Sequence, residues 1–149
     1  MKILVVDDDP AIGTAFRETL PETDEISAVS NYADGMLFVI KEKFDGVILD
    51  TCEPDGQIRT MIERIRENSP KTGVVIFSGR AYLNGAFDDL GVFAVVDKSE
   101  GVDEAIAAIR RSIVIAAHVD IMGSENLMQE CIDEIELVQQ LVRRPIYAR

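Results

Sequence analysis

At 149 residues the chain has the length of one domain with a well-buried core. Its 47% hydrophobic and 28% charged residues are those of a soluble protein, and a net charge of −12, spread along the chain, argues against a basic nucleic-acid-binding face. The apolar run within residues 2–6 is too short for a signal peptide or membrane span. Cys52 and Cys131 lie far apart without metal-type spacing, so no disulfide scaffold and a reducing, cytoplasmic setting are expected.

Residues 2–6 read as a strand, whose continuous apolar run Ile3 to Val6 suits a sheet covered on both faces. Pro10 sits early in the following helix, where its missing N–H costs little, and Asp9 is expected to cap that helix. Ile12, Phe16 and Leu20, with Ala11 and Ala15, give it a buried stripe that Pro21 closes. Residues 25–29 read as a weaker, more exposed strand, and a helix over residues 32–42 is predicted to bury Met36, Leu37 and Ile40.

Residues 47–49 are the third strand, followed by the turn Glu53-Pro54-Asp55-Gly56. Ile58, Met61, Ile62 and Ile65 recur at helical spacing until Asn68-Ser69-Pro70 ends the helix. A strand at 74–77, a short helix at 83–90 and a fifth strand at 93–96 come next. From Gly101 onward Val102, Ala105, Ile106, Ile109 and Ile113 make an amphipathic helix. This alternation predicts an α/β fold with a doubly wound, five-stranded parallel sheet.

The tail differs. Residues 113–122 are apolar nearly all round and are expected to be covered. After the break at Gly123-Ser124, Leu127, Met128, Cys131, Ile132, Ile135, Val138, Leu141 and Val142 recur at three- and four-residue steps, until Pro145. The expected division is a domain at 1–117 and an extra helical extension at 118–149. That extension either packs on its own domain or makes a dimer or partner contact, the reading we favour. The single histidine, His118, is expected at a helix end or interface rather than in phosphotransfer.

Chemistry gathers where the apolar runs end. Asp7 and Asp8 follow ILVV, Asp50 follows GVIL, Ser78 follows GVVIF, and Asp97-Lys98 follow VFAVV. A parallel sheet brings such ends to one edge, where open α/β folds place ligand sites. Adjacent carboxylates repel unless a cation lies between them, and Mg²⁺ suits an all-oxygen site. A carboxylate beside a divalent cation can attack phosphorus to give an acyl phosphate. Ser78 can donate to a phosphoryl oxygen, and Lys98 supplies a compact positive charge.

These residues resemble the response-regulator receiver domains of two-component signalling, related to the chemotaxis regulators. The resemblance rests on ILVVDDDP, GVILD, the turn with Pro54 and Asp55-Gly56, VVIFSG, and Gly91 through VVDKS, and it runs from Lys2 to about Ala117. It implies a flavodoxin-like strand order 2-1-3-4-5. It also implies Asp50 as phosphoacceptor, Asp7, Asp8, Asp50 and the Cys52 carbonyl around Mg²⁺, and Ser78 and Lys98 on the phosphoryl group. There are departures. The turn after Asp50 is short, with Glu53 where a hydrophobic residue is common. Val95 replaces the family's aromatic switch, with Phe93 two residues earlier on the same strand face and read as core, and Ser99 replaces the usual proline after the lysine.

The expected function is therefore that of a phosphoacceptor rather than an enzyme. A sensor histidine kinase or phosphotransfer protein would supply the phosphoryl group. Output would be protein–protein contact, as a homodimer or with a downstream target, with neither a DNA-binding output domain nor a membrane. Two alternative readings compete with it. One is a phosphorylation-independent pseudo-receiver for docking or dimerisation; the other is a haloacid-dehalogenase-like phosphatase using Asp7 and Asp9. Ala11 does not match the phosphatase motif, and Asp50 would then have no task.

Overall fold

In the computed structural model, residues 1–51, 55–79, 86–122 and 135–140 are described. Five strands, β1 (Lys2–Val6), β2 (Glu25–Val29), β3 (Gly46–Leu49), β4 (Gly73–Ser78) and β5 (Ala94–Asp97), pair in the order β2-β1-β3-β4-β5. Every pairing is parallel, with Val6 opposite Leu49, Leu49 opposite Ile76 and Ser78 opposite Asp97. The helices are α1 (Pro10–Thr19), α2 (Tyr32–Lys41), α3 (Asp55–Asn68) and α4 (Val102–Met122). This is the doubly wound α/β sheet expected. The chain divides into two compact units, Met1–Ile113 and Val114–Arg149.

Successive strand side chains point to opposite faces, and both faces of this sheet are apolar. Ile3, Val5, Ile48, Val75 and Phe77 pack with Phe16 of α1 and with Ala105, Ile106, Ala108 and Ile109 of α4. Leu4, Val6, Val47, Leu49, Val74 and Ile76 pack on the other side with Val39 of α2 and Ile58, Met61, Ile62 and Ile65 of α3. Burying each of the larger side chains stabilises the fold by about 1.5–3 kcal/mol. As expected, the edge strand β2 is only partly buried, whereas β3 and β4 are buried throughout.

Helix starts follow local chemistry. Asp9 caps α1, its Oδ1 accepting the Ala11 N–H at 2.9 Å, with Pro10 in the first turn. Asn31 caps α2 by accepting the Asp34 N–H at 2.8 Å.

Two expectations need correction. In α2, Leu37 and Ile40 are exposed (54% and 57%), while Tyr32, Gly35 and Val39 face inward. Gly35 sets this rotation: a Cβ there would come within 2.9 Å of both Met61 Cε and Val6 Cγ2. Leu37 lies roughly 200° further round the helix, facing away from the sheet.

The short helix expected at 83–90 is a single 3₁₀ turn at Asp88–Leu90 among the described residues; Leu83 lies outside them. Within the chain itself, Val114 and Val119 of the apolar stretch are 67% and 46% exposed. Of the seam, Leu127, Met128, Cys131, Ile132, Leu141 and Val142 lie outside the described residues. Residues 135–140 are helical, with Val138 38% exposed. No helix among the described residues is long and apolar enough to cross a membrane.

Candidate phosphoacceptor and cation site

Backbone ladders carry the acidic residues to one edge. Asp7 follows β1 and its N–H donates to Val29 O at 3.0 Å; Asp50 follows β3 and its N–H donates to Val6 O at 2.9 Å. Ser78 is the last residue of β4, and Lys98 directly follows β5. Carboxylate oxygens of Asp7, Asp8 and Asp50 lie within 4.8 Å of one another. Asp7 and Asp50 are buried, whereas Asp8 is exposed. The Lys98 ammonium is 2.7 Å from Asp7 Oδ2 and 3.2 Å from Asp50 Oδ1.

A short 3₁₀ turn, Lys98–Glu100, presents that lysine. Asp97 Oδ1 accepts the Ser99 N–H at 2.8 Å, and Glu100 Oε2 accepts the Asp97 N–H at 2.9 Å. This reciprocal box closes the turn that Ser99 enters in place of the family's proline. Gly101 ends it at φ +87°, a conformation glycine adopts without strain.

Burial pushes the Asp7 carboxyl above the usual carboxylate range. Its bond to Lys98 and the Asp9 N–H at 2.9 Å oppose the shift, and the charge on Asp50 adds to it. For Lys98, partial burial acts downward but the bond to Asp7 and the charge of Asp50 outweigh it, leaving its pKa raised. Both partners thus shift upward; for Asp7, desolvation exceeds the attraction of the ammonium.

Asp7 Oδ2 is buried, with the Lys98 ammonium 2.7 Å away and no further donor upon it among the described residues. A buried carboxylate oxygen in that state, beside two further carboxylates, fits a hard cation with oxygen ligands. Asp7, Asp8 and Asp50 are the described residues that could hold it; Cys52, whose carbonyl was expected to join them, lies outside, as do Glu53 and Pro54. Asp9, the second acid of the phosphatase reading, is exposed and serves as the cap of α1.

Two further residues stand around Asp50 that its sequence pattern does not single out. The phenol of Tyr32, first residue of α2, donates to the backbone carbonyl of Asp50. The Thr51 hydroxyl lies 2.5 Å from that of Ser78, both residues being buried. Adjacency to Asp50 could have flagged Thr51; nothing in the local pattern flags Tyr32. Phe93 and Val95 do not share a face as expected. Phe93 precedes β5 and packs on the α1/α4 side, whereas Val95 packs on the α2/α3 side.

A family model described as the response regulator receiver domain matches residues 3–110. The chain is 26% identical over 115 residues to the transcriptional regulatory protein DltR of Streptococcus agalactiae, covering 74% of this chain and 50% of that protein. It is 26% identical over 141 residues to the oxygen regulatory protein NreC of Staphylococcus epidermidis, covering 90% and 64%. It therefore spans only part of the length of these curated relatives.

Among solved structures, a CheY-like receiver domain protein from Methanospirillum hungatei superposes with a TM-score of 0.69. Identity is 22%, over 78% of this chain and 96% of that one. The response regulator TrrA of Thermotoga maritima, solved in complex with Mg²⁺-BeF, gives 0.64 at 24% identity, over 74% and 97%.

Proposed function

The chain belongs to the response-regulator receiver family, and from that premise we propose that Asp50 is its phosphoacceptor. A sensor histidine kinase or phosphotransfer protein supplies the phosphoryl group from a phosphohistidine. An Asp50 carboxylate oxygen forms the new bond to phosphorus as the nitrogen–phosphorus bond breaks, and the histidine nitrogen keeps the bonding pair. One observation carries this reading above the others: the Lys98 ammonium stands 3.2 Å from Asp50 inside a cluster of three carboxylates.

Asp7, Asp8 and Asp50, with the Cys52 carbonyl, would hold Mg²⁺, which when bound neutralises charge on the transferring oxygens. Lys98 turns from its carboxylate partners toward the phosphoryl oxygens, and Ser78 donates to one of them. Movement of Ser78 and Lys98 then biases a two-state equilibrium around the ends of β4 and β5.

Output is through protein contact, with a downstream protein or with a second copy by way of the helical extension at 118–149. The net charge of −12 opposes direct binding of this domain to nucleic acid. The setting is cytoplasmic, where such phosphodonors act, and the chain takes and holds one phosphoryl group rather than turning over a substrate.

The test is intact-mass measurement after exposure to acetyl phosphate with and without Mg²⁺. One phosphoryl adduct is expected, dependent on Mg²⁺ and absent in Asp50→Asn. Labelling that persists in Asp50→Asn refutes the assignment. No labelling of the wild type leaves the docking-module reading, which Val95 and Ser99 favour. Light scattering at dilute concentration checks association: a strict monomer with and without a phosphate analogue removes the homodimer.

A further inference from the structure

Thr51 Oγ1 and Ser78 Oγ are 2.5 Å apart, and the two residues are 4% and 1% exposed. Thr51 is the chain neighbour of Asp50, and Ser78 ends the strand paired beside β3. Each hydroxyl has one proton to donate and room to accept, so only one of the two protons lies on the axis between them. With the Thr51 proton there, Ser78 Oγ accepts, and its own proton is turned away from Thr51. Burial of both groups gives this arrangement weight, because a misdirected hydroxyl there has little water to turn to.

We propose that Thr51 is a positioning residue that aims the Ser78 hydroxyl at the phosphoryl group on Asp50. This rests on the phosphoacceptor reading of Asp50 and adds a residue to that site. Thr51 touches neither the donor nor phosphorus; it acts through Ser78. It also ties the aim of Ser78 to Asp50 itself, since the Asp50–Thr51 peptide bears both the acceptor carboxylate and the aiming hydroxyl. The Tyr32 phenol, bonded to the carbonyl of that same peptide, holds it from the α2 side.

The experiment measures the Mg²⁺-dependent rate of labelling by acetyl phosphate, by intact mass, on the full chain. The variants are Thr51→Val, Thr51→Ala, Thr51→Ser, Ser78→Ala and Thr51→Val/Ser78→Ala, each checked by thermal melting. Removing the Thr51 hydroxyl is expected to slow labelling about threefold to tenfold, the rate equivalent of one ordinary hydrogen bond.

Thr51→Ser is expected to restore the rate, and Thr51→Val to add nothing once Ser78 is alanine. A merely structural hydroxyl pair would lower the melting temperature without this rescue or this dependence on Ser78. Thr51→Ala, which removes the hydroxyl in a smaller side chain, carries the same comparison where Thr51→Val fails to fold. Wild-type labelling rates in folded Thr51→Val or Thr51→Ala overturn the proposal, as does equal slowing in the Ser78→Ala background. A wild type that does not label at all overturns it together with the assignment of Asp50.

Discussion

The Lys98 ammonium bridges two carboxylates from different strands, 2.7 Å from Asp7 and 3.2 Å from Asp50. One side chain thereby offsets the repulsion that the ends of β1 and β3 would otherwise impose on each other. Lys98→Gln leaves buried Asp7 beside Asp50 without that charge. It is expected to lower stability by about 1–3 kcal/mol, less than a fully buried pair because Lys98 is itself part-exposed. Urea titration measures this. Added Mg²⁺ is expected to narrow the deficit, while labelling of Asp50 falls about a hundredfold from loss of the electrostatic donor. Equal stability of variant and wild type without Mg²⁺ would contradict the bridging role.

Tyr32→Phe removes the phenol that donates to the Asp50 carbonyl and leaves that buried acceptor unsatisfied. A loss of about 1–2 kcal/mol is expected in urea denaturation, with the fold retained. The chain has no tryptophan and three tyrosines, so tyrosine emission can follow the site directly. The emission change on labelling is expected to shrink in Tyr32→Phe; an undiminished change would place the reporting tyrosine elsewhere.

Asp24 accepts from the Met1 ammonium at 2.6 Å and from Arg110 of α4 at 3.0 Å. The Met1 hydrogen bond, aided by Arg110, holds its carboxyl below the usual range despite some desolvation. A depressed folded-state pKa contributes stability that is present above the unfolded value and lost as pH falls through the folded one. The contribution is therefore expected in full above about pH 5 and to fade below about pH 4. Asp24→Asn is expected to be less stable than wild type at pH 7, by about 1–2 kcal/mol, and to converge with it in acid. A pH-independent difference would show that the charge of Asp24 is not what matters.

Gly46 begins β3 directly against α4. A Cβ there would stand 2.5 Å from Ile109 Cγ2, and Ile109 is fully buried. Gly46→Ala is expected to cost about 1–3 kcal/mol through overpacking, measured by thermal or urea unfolding. The double variant Gly46→Ala/Ile109→Val is expected to recover part of the loss by making room. No recovery would mean that the backbone, rather than Ile109, limits the site.

Much of the site was legible because it is local. Asp7, Asp50, Ser78 and Lys98 each stand at the end of an apolar run, and a run that stops at a polar residue marks a strand end. The parallel sheet then places those ends side by side. The box around Lys98 was also written in the chain: Asp97 with Glu100 three residues on is a capping pattern.

Tertiary structure decided what local pattern could not. The rotation of α2 depends on where its backbone comes closest to the sheet. Gly35, opposite Met61 and Val6, permits that approach and turns Leu37 and Ile40 outward. Tyr32 and Thr51 have partners near Asp50 that are fixed only by packing: a carbonyl 18 residues on, and a hydroxyl one strand over. Phe93 and Val95 went to opposite sides because β5 begins only at Ala94, and strand alternation does not extend past the strand's first residue. Side-chain periodicity settles which residues can face a core; which of them do is settled by the neighbours that reach them through space.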